Sequence, residues 1–175
     1  MATEVRVDPA LRTMAALAVV IAATGCGDNV RDGNQSSPTR VARPLLESRT
    51  SQYAADVLAT FTTLPTPTRL GPVPCGDRGG DLADDGSYQV SGSWQIPLPS
   101  GQQRATFQRL RTEWQAKGVE ITEYRELSDG VKVSMAGRDP AAGFTLTLTS
   151  TQPPEAVALL VVSSCALSPD GRYPG

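Results

Sequence analysis

The chain has 175 residues, enough for one domain with a real core, and its formal net charge is −2. Sixteen Lys and Arg against eighteen Asp and Glu leave no basic excess to hold nucleic acid. It has no histidine, which removes Ser-His-Asp and Cys-His nucleophilic sites and His-ligated metal centres.

The N-terminal stretch carries the clearest signal. Arg6 and Arg12, diluted by Glu4 and Asp8, precede an apolar run from Met14 to Ala23. A spanning helix needs about 20 apolar residues, so this run is too short to remain as a conventional membrane span. Ala23-Thr24-Gly25 before Cys26 supplies the small residues that a signal peptidase requires. This layout resembles the bacterial lipobox. The resemblance implies that Cys26 is joined to diacylglycerol and that residues 1–25 are a signal peptide removed before it. Two acyl chains suffice for stable anchoring, at about 0.8 kcal/mol per buried CH₂. Residues 26–43 are polar and rich in breakers, and they read as a disordered tether. Residues 44–175 then form a single domain.

With Cys26 acylated, Cys75 and Cys165 are the two cysteines left. In an oxidising, extracytoplasmic compartment such a pair reads as a disulfide. The chain-entropy account gives a bridge over so long a loop about 4–4.7 kcal/mol.

Pro44 suits a first helical turn, and Leu45, Leu46, Arg49, Tyr53, Val57, Leu58 and Phe61 follow at three- and four-residue steps. Leu64-Pro65-Thr66-Pro67 ends that helix, and the chain reads as loop from there to Gly86. Tyr88, Val90, Trp94, Ile96 and Leu98 share one face of a strand, with Gly92 marking a bulge and Pro97 the strand end or a sheet edge. Ser100 and Gln103 form a capping box for a second helix, whose stripe is Phe107, Leu110 and Trp114 and whose stop is Gly118. A meander follows: Val119 to Leu127, a turn at Ser128-Asp129-Gly130, then Val131 to Gly137, residues 144–149, and Ala156 to Cys165. In the last strand Val157, Leu159 and Val161 face one way, and Ala158, Leu160 and Val162 the other. That pattern fits a central strand buried on both sides, or an exposed apolar stripe serving a partner or a lipid. The expected fold is α+β: an antiparallel sheet of about five strands in the order α-β-α-β-β-β-β, packed with two helices and closed by one disulfide.

Candidate chemistry is sparse. The two lysines, Lys117 and Lys132, are expected at an exposed helix end and on a polar strand face, neither of which desolvates a base. Asp77, Asp81, Asp84 and Asp85 crowd a glycine-rich loop and are the best calcium candidates, but the spacing is not that of an EF-hand. Such loops are usually just solvated. Glu113, Glu120, Glu123 and Glu126 include the carboxylates an acid/base pair would need, with nothing to bring two into a cleft. A carboxylate-only enzyme would draw on groups such as Asp84 and Glu123. No catalytic residues and no cofactor are expected. Trp94 and Trp114 fit core positions better than a stacking platform. A carrier of an apolar small molecule would need a cavity lined by residues such as Leu46, Phe107, Trp114 and Leu146.

The layout resembles small actinobacterial envelope lipoproteins of the mycobacterial LppA type. The points of similarity are Ala23-Thr24-Gly25-Cys26, the helix before Val73-Pro74-Cys75-Gly76, Ser93-Trp94 ahead of a helix with Trp114 and Gly118, and Val162-Ser163-Ser164-Cys165. The dominance of Arg over Lys suits such a proteome. The resemblance implies a lipid-anchored protein on the extracytoplasmic face of the cell membrane, with no established activity and no catalytic residues to transfer. The expected function is non-enzymatic binding of a protein or envelope partner, the alternative being a carrier or sensor of an apolar small molecule.

Overall fold

Two stretches of helical periodicity give two helices. In the computed structural model, which describes residues 39–76, 85–127, 132–151, 153 and 155–175, α1 spans Arg43–Leu58 and α2 spans Ser100–Ala116. Proline stands in the first turn of α1, where its missing N–H costs nothing. Thr60 closes the other end by donating to the Val57 carbonyl at 2.7 Å. The buried stripe of α1 is Leu46, Thr50, Ala54, Val57 and Leu58. Leu45, expected on it, is 48% exposed. Helix α2 ends as its glycine predicts. Gly118 takes φ +86°, and the Val119 and Gly118 N–H groups bond back to the Trp114 and Gln115 carbonyls at 2.9 and 3.0 Å. This is a Schellman closure, whose second turn residue, Val119, is buried in the same cluster as Trp114.

The start of α2 differs from expectation. The N-cap is Pro99, with no side-chain cap, so there is no capping box. Gln103 is fully buried instead. Its amide donates to the carbonyls of Leu98 at 2.7 Å and Ala156 at 3.3 Å, and its Oε1 accepts from Ser150 Oγ at 2.6 Å. A polar side chain so placed fastens the first turn of the helix to two strands beneath it.

The strands are β1 (Thr66–Pro74), β2 (Ser87–Pro97), β3 (Glu120–Glu126), β4 (Val133–Asp139), β5 (Phe144–Ser150), β6 (Ala156–Ser163) and a short β7 (Ala166–Leu167). They form one antiparallel sheet in the order β1-β2-β6-β5-β4-β3, with β7 beside β2. The fold is thus α+β with an antiparallel sheet and two helices among the described residues, but with seven strands rather than five. The correction lies first in β1, which occupies the stretch expected to be loop. Its Pro67, Pro72 and Pro74 cannot donate to a ladder on both sides, and β1 is an edge strand. The opposite edge, β3, reads Glu-Ile-Thr-Glu-Tyr-Arg-Glu. Proline on one edge and charge on the other blunt both against pairing with another chain.

Gly92 is not a bulge. It pairs in regular register with Leu70 and Val161, and the irregularity lies in β1 between Pro67 and Arg69. Its missing Cβ makes room for the Trp94 ring, which a side chain there would meet. The expected turn at 128–130 falls outside the described residues, as does Val131.

Both helices pack on one face of the sheet. Phe107, Leu110 and Trp114 of α2 and Ala54, Val57 and Leu58 of α1 share one cluster with Ile96, Met135, Leu146, Leu148, Leu159 and Val161. Strand β6 is central, between β2 and β5, yet buried on one side only. Val157, Leu159 and Val161 are fully buried, Ala158 and Val162 half-buried, and Leu160 exposed. Burial on both sides is therefore corrected. A second, smaller cluster of Leu46, Tyr88, Val90 and Ala166, with Val41 against it, closes one end.

Cys75 and Cys165 are bridged, with sulfurs 2.03 Å apart. Beside them the segment before α1 is bound to the tail. Val41 N–H donates to Leu167, Leu167 N–H to Thr39, and the Arg40 guanidinium to Ser168. Arg43 reaches Pro174 at 2.7 Å. The last residues expected in the tether, 39–43, are therefore part of the folded body.

Candidate functional site

Where α1 and the end of α2 diverge, they leave an open cleft of about 310 Å³ over the sheet. One wall is Tyr53, Asp56 and Val57 from one face of α1, continued by Thr60 in the turn after it. Trp114, Lys117 and Val119 form the opposite wall, and Asp139 and Leu146 the sheet side. A second, smaller cleft of about 210 Å³ lies at the disulfide, lined in part by Leu46, Arg49 and Cys165.

Hydrogen bonding decides which polar groups of the first cleft are already engaged. Asp139 is engaged twice over. Its Oδ2 accepts from the Tyr53 hydroxyl at 2.8 Å, and its Oδ1 accepts from the N–H groups of Ala141 and Ala142. The carboxylate thereby caps the β4–β5 turn and fixes Tyr53, whose ring stacks on Phe144 with centroids 4.3 Å apart. Burial, together with the adjacent carboxylate, pushes the Tyr53 hydroxyl well above the ordinary phenol range. It stays a neutral phenol at any ordinary pH. Asp56 accepts only a long bond, 3.3 Å, from Gln52 of its own helix. Lys117, the C-cap of α2, is exposed and makes no ion pair among the described residues. A cation there complements the C-terminal end of the helix dipole.

The carboxylates singled out in the sequence do not meet. Glu113 pairs with Arg109 at 2.8 Å, Glu123 with Arg125 at 2.6 Å, and Glu126 with Arg104 at 3.1 Å. Glu120 stands opposite Arg138 across the β3–β4 ladder. Each acid thus has an arginine beside it, on the surface, where such pairs contribute little. Lys132 adjoins β4, away from the cleft lining.

Among the calcium candidates, Asp77, Asp81 and Asp84 lie outside the described residues. Asp85 accepts from the Ser87 N–H at 2.9 Å, and bonds from Ser87 hold its carboxyl below the usual range. It acts as a turn residue. Among the described residues no group of three or more His, Cys, Asp or Glu is placed to hold a metal ion.

The four residues expected around a ligand separate. Trp114 and Leu146 line the cleft, Phe107 is fully buried in solid packing, and Leu46 belongs to the other cluster and the smaller cleft. Trp94 lies against Gly92 in the core. Asp56, Thr60 and Asp139 were not legible as site residues. The polar side of the Tyr53–Val57 helical step is a signal for Asp56 and Thr60; Asp139, on β4, carries none. Cys26 lies outside the described residues, and no described helix is long and apolar enough to cross a membrane. Set against known protein families, curated proteins and solved structures, the chain matches none.

Proposed function

We propose that this chain is a lipid-anchored lipoprotein of the extracytoplasmic face of the cell membrane, akin to the small actinobacterial envelope lipoproteins it resembles. On this reading Cys26 carries the lipid, and the α+β domain binds a protein or envelope partner without catalysing a reaction. The observation that carries the proposal is the Cys75–Cys165 bridge. Structural disulfides persist in oxidising compartments. Pairing those two leaves Cys26, behind Ala23-Thr24-Gly25, as the remaining cysteine of three. The non-enzymatic part rests on the sequence having no histidine and on the pairing of three of its four candidate glutamates, Glu113, Glu123 and Glu126, with arginines.

The test is the intact mass of the protein extracted from bacterial membranes in mild detergent. The expected species begins at Cys26, carries diacylglycerol, and is two hydrogens lighter than the reduced chain. Cys26→Ala is expected to move the protein to the soluble fraction. An unacylated chain starting elsewhere overturns the proposal.

A second reading, a carrier or sensor of an apolar small molecule held between the helices and the sheet, is favoured by the cleft between α1, α2 and the sheet. Its volume stands at the small end of ligand sites, which begin at about 300 Å³.

A further inference from the structure

The cleft has a chemistry of its own. Its apolar lining comes from Val57, Trp114 and Val119, with Leu146 fully buried behind them. Its rim carries two charges of opposite sign from different elements, neither in an ion pair among the described residues: the Asp56 carboxylate on α1, which accepts only from Gln52, and the Lys117 ammonium at the end of α2. The other carboxylate, Asp139, is held by neutral donors, Tyr53, Ala141 and Ala142; it keeps its negative charge, which adds to that of Asp56 in favouring an ammonium in the cleft. The Tyr53 hydroxyl, on a residue that lines the cleft, donates its proton to Asp139, and its oxygen keeps acceptor capacity.

From this pattern we infer that the cleft binds a small zwitterion with an apolar body, of the kind and size of a free apolar α-amino acid. The ligand's ammonium is received by Asp56 and the Tyr53 oxygen, its carboxylate by Lys117, and its side chain by the apolar lining. A purely apolar ligand would leave Asp56 and Lys117 unused, and a simple cation or anion would leave one of them facing a ligand without its counterpart. Both charges are exposed, so each adds modestly, and selectivity rather than tight affinity is what they supply. This inference rests on the small-molecule reading of the cleft and not on the acylation of Cys26.

The experiment is isothermal titration of the full-length protein in mild detergent with four probes that share one side chain. They are leucine, leucinamide (ammonium only), 4-methylpentanoate (carboxylate only) and 4-methylpentanol (neither charge). Leucine is expected to bind in the micromolar-to-millimolar range, and loss of either charge to weaken binding about twofold to fivefold. Lys117→Met is expected to remove the preference for leucine over leucinamide. Asp56→Asn is expected to remove the preference for leucine over 4-methylpentanoate. Both positions are exposed, so the folded domain tolerates the changes. If 4-methylpentanol binds as well as leucine, the zwitterion inference falls and the apolar-carrier reading stands. If no probe binds up to about 10 mM, both fall. Leucine binding that neither substitution alters also overturns the inference.

Discussion

On the helix-covered face of the sheet, Val133, Met135, Leu146, Leu148, Val157 and Leu159 are fully buried. On the opposite face their strand neighbours Ser134, Thr147, Thr149 and Ala158 are half-buried, and Leu160 is exposed. The strands are the same and the hydrogen bonds are shared, so the difference isolates what side-chain burial alone contributes. One face holds the fold together. The other consists of small β-compatible residues, Ser, Thr and Ala, that stabilise the pleat without demanding a cover.

Leu159 and Leu160 give the sharpest way to break that comparison, being adjacent on β6 with opposite exposures. Leu159→Ala is expected to cost about 2–5 kcal/mol in urea unfolding, and Leu160→Ala less than about 1 kcal/mol. Equal losses would mean that the outer face is covered in solution. The disulfide acts on neither face but at the end of the sheet. Replacing Cys75 and Cys165 together by Ser is expected to lower stability by about 2–4 kcal/mol, read from the same curves with and without reductant. Two glycines extend the contrast to the smallest side chain. Gly92→Ala meets the Trp94 ring on the covered face and is expected to cost about 1–3 kcal/mol. Gly71 lies in open space, and Gly71→Ala is expected to change stability by less than about 0.5 kcal/mol.

The last prediction concerns Tyr53 and its dependence on pH. Its folded-state pKa is raised above the ordinary 10.0, chiefly by burial and then by its bond to Asp139. The folded protein therefore holds the phenolic proton after the unfolded chain has released it. That contribution is complete below pH 10 and is lost as pH climbs above it. Tyr53→Phe is expected to cost about 1 kcal/mol at neutral pH and to flatten the alkaline decline in melting temperature. The decline will not vanish, because burial also raises Tyr88 and Tyr124.

How far the sequence discloses this structure depends on which signal each segment carries. The alternation in Tyr88–Ile96 and in Phe144–Leu148 is clean because one face is buried and the other wet, and both strands stand where the period puts them. Strand β6 has apolar residues on both faces, so its own pattern is silent. The registers with β2 and β5 decide that Leu159 turns in and Leu160 out. Strand β1 is hidden by its prolines, which mark turns in isolation and an edge strand only once a sheet exists to have an edge. Gln103 reads as a local cap because its long-range partners, Ala156 and Ser150, are brought to it by the fold. The cleft is invisible for the same reason. Tyr53 and Asp139 are distant in sequence, and only the packing of α1 on the sheet makes them a pair.

The corner that joins residues 39–43 to Leu167, Ser168 and Pro174 sets how the domain bears load. A pull through the N-terminal segment first meets the hydrogen bonds of Val41 and Arg40, and of the described elements only α1 and β1 precede Cys75. Once those peel away, residues 39–75 extend to roughly 120–130 Å. Strands β2 to β6 and helix α2 lie inside the covalent loop between Cys75 and Cys165 and carry no tension along the chain. The molecule is thus mechanically divided into a yielding leader and a protected body. Stretching from its two ends should give one short extension and then stiffen at the bridge.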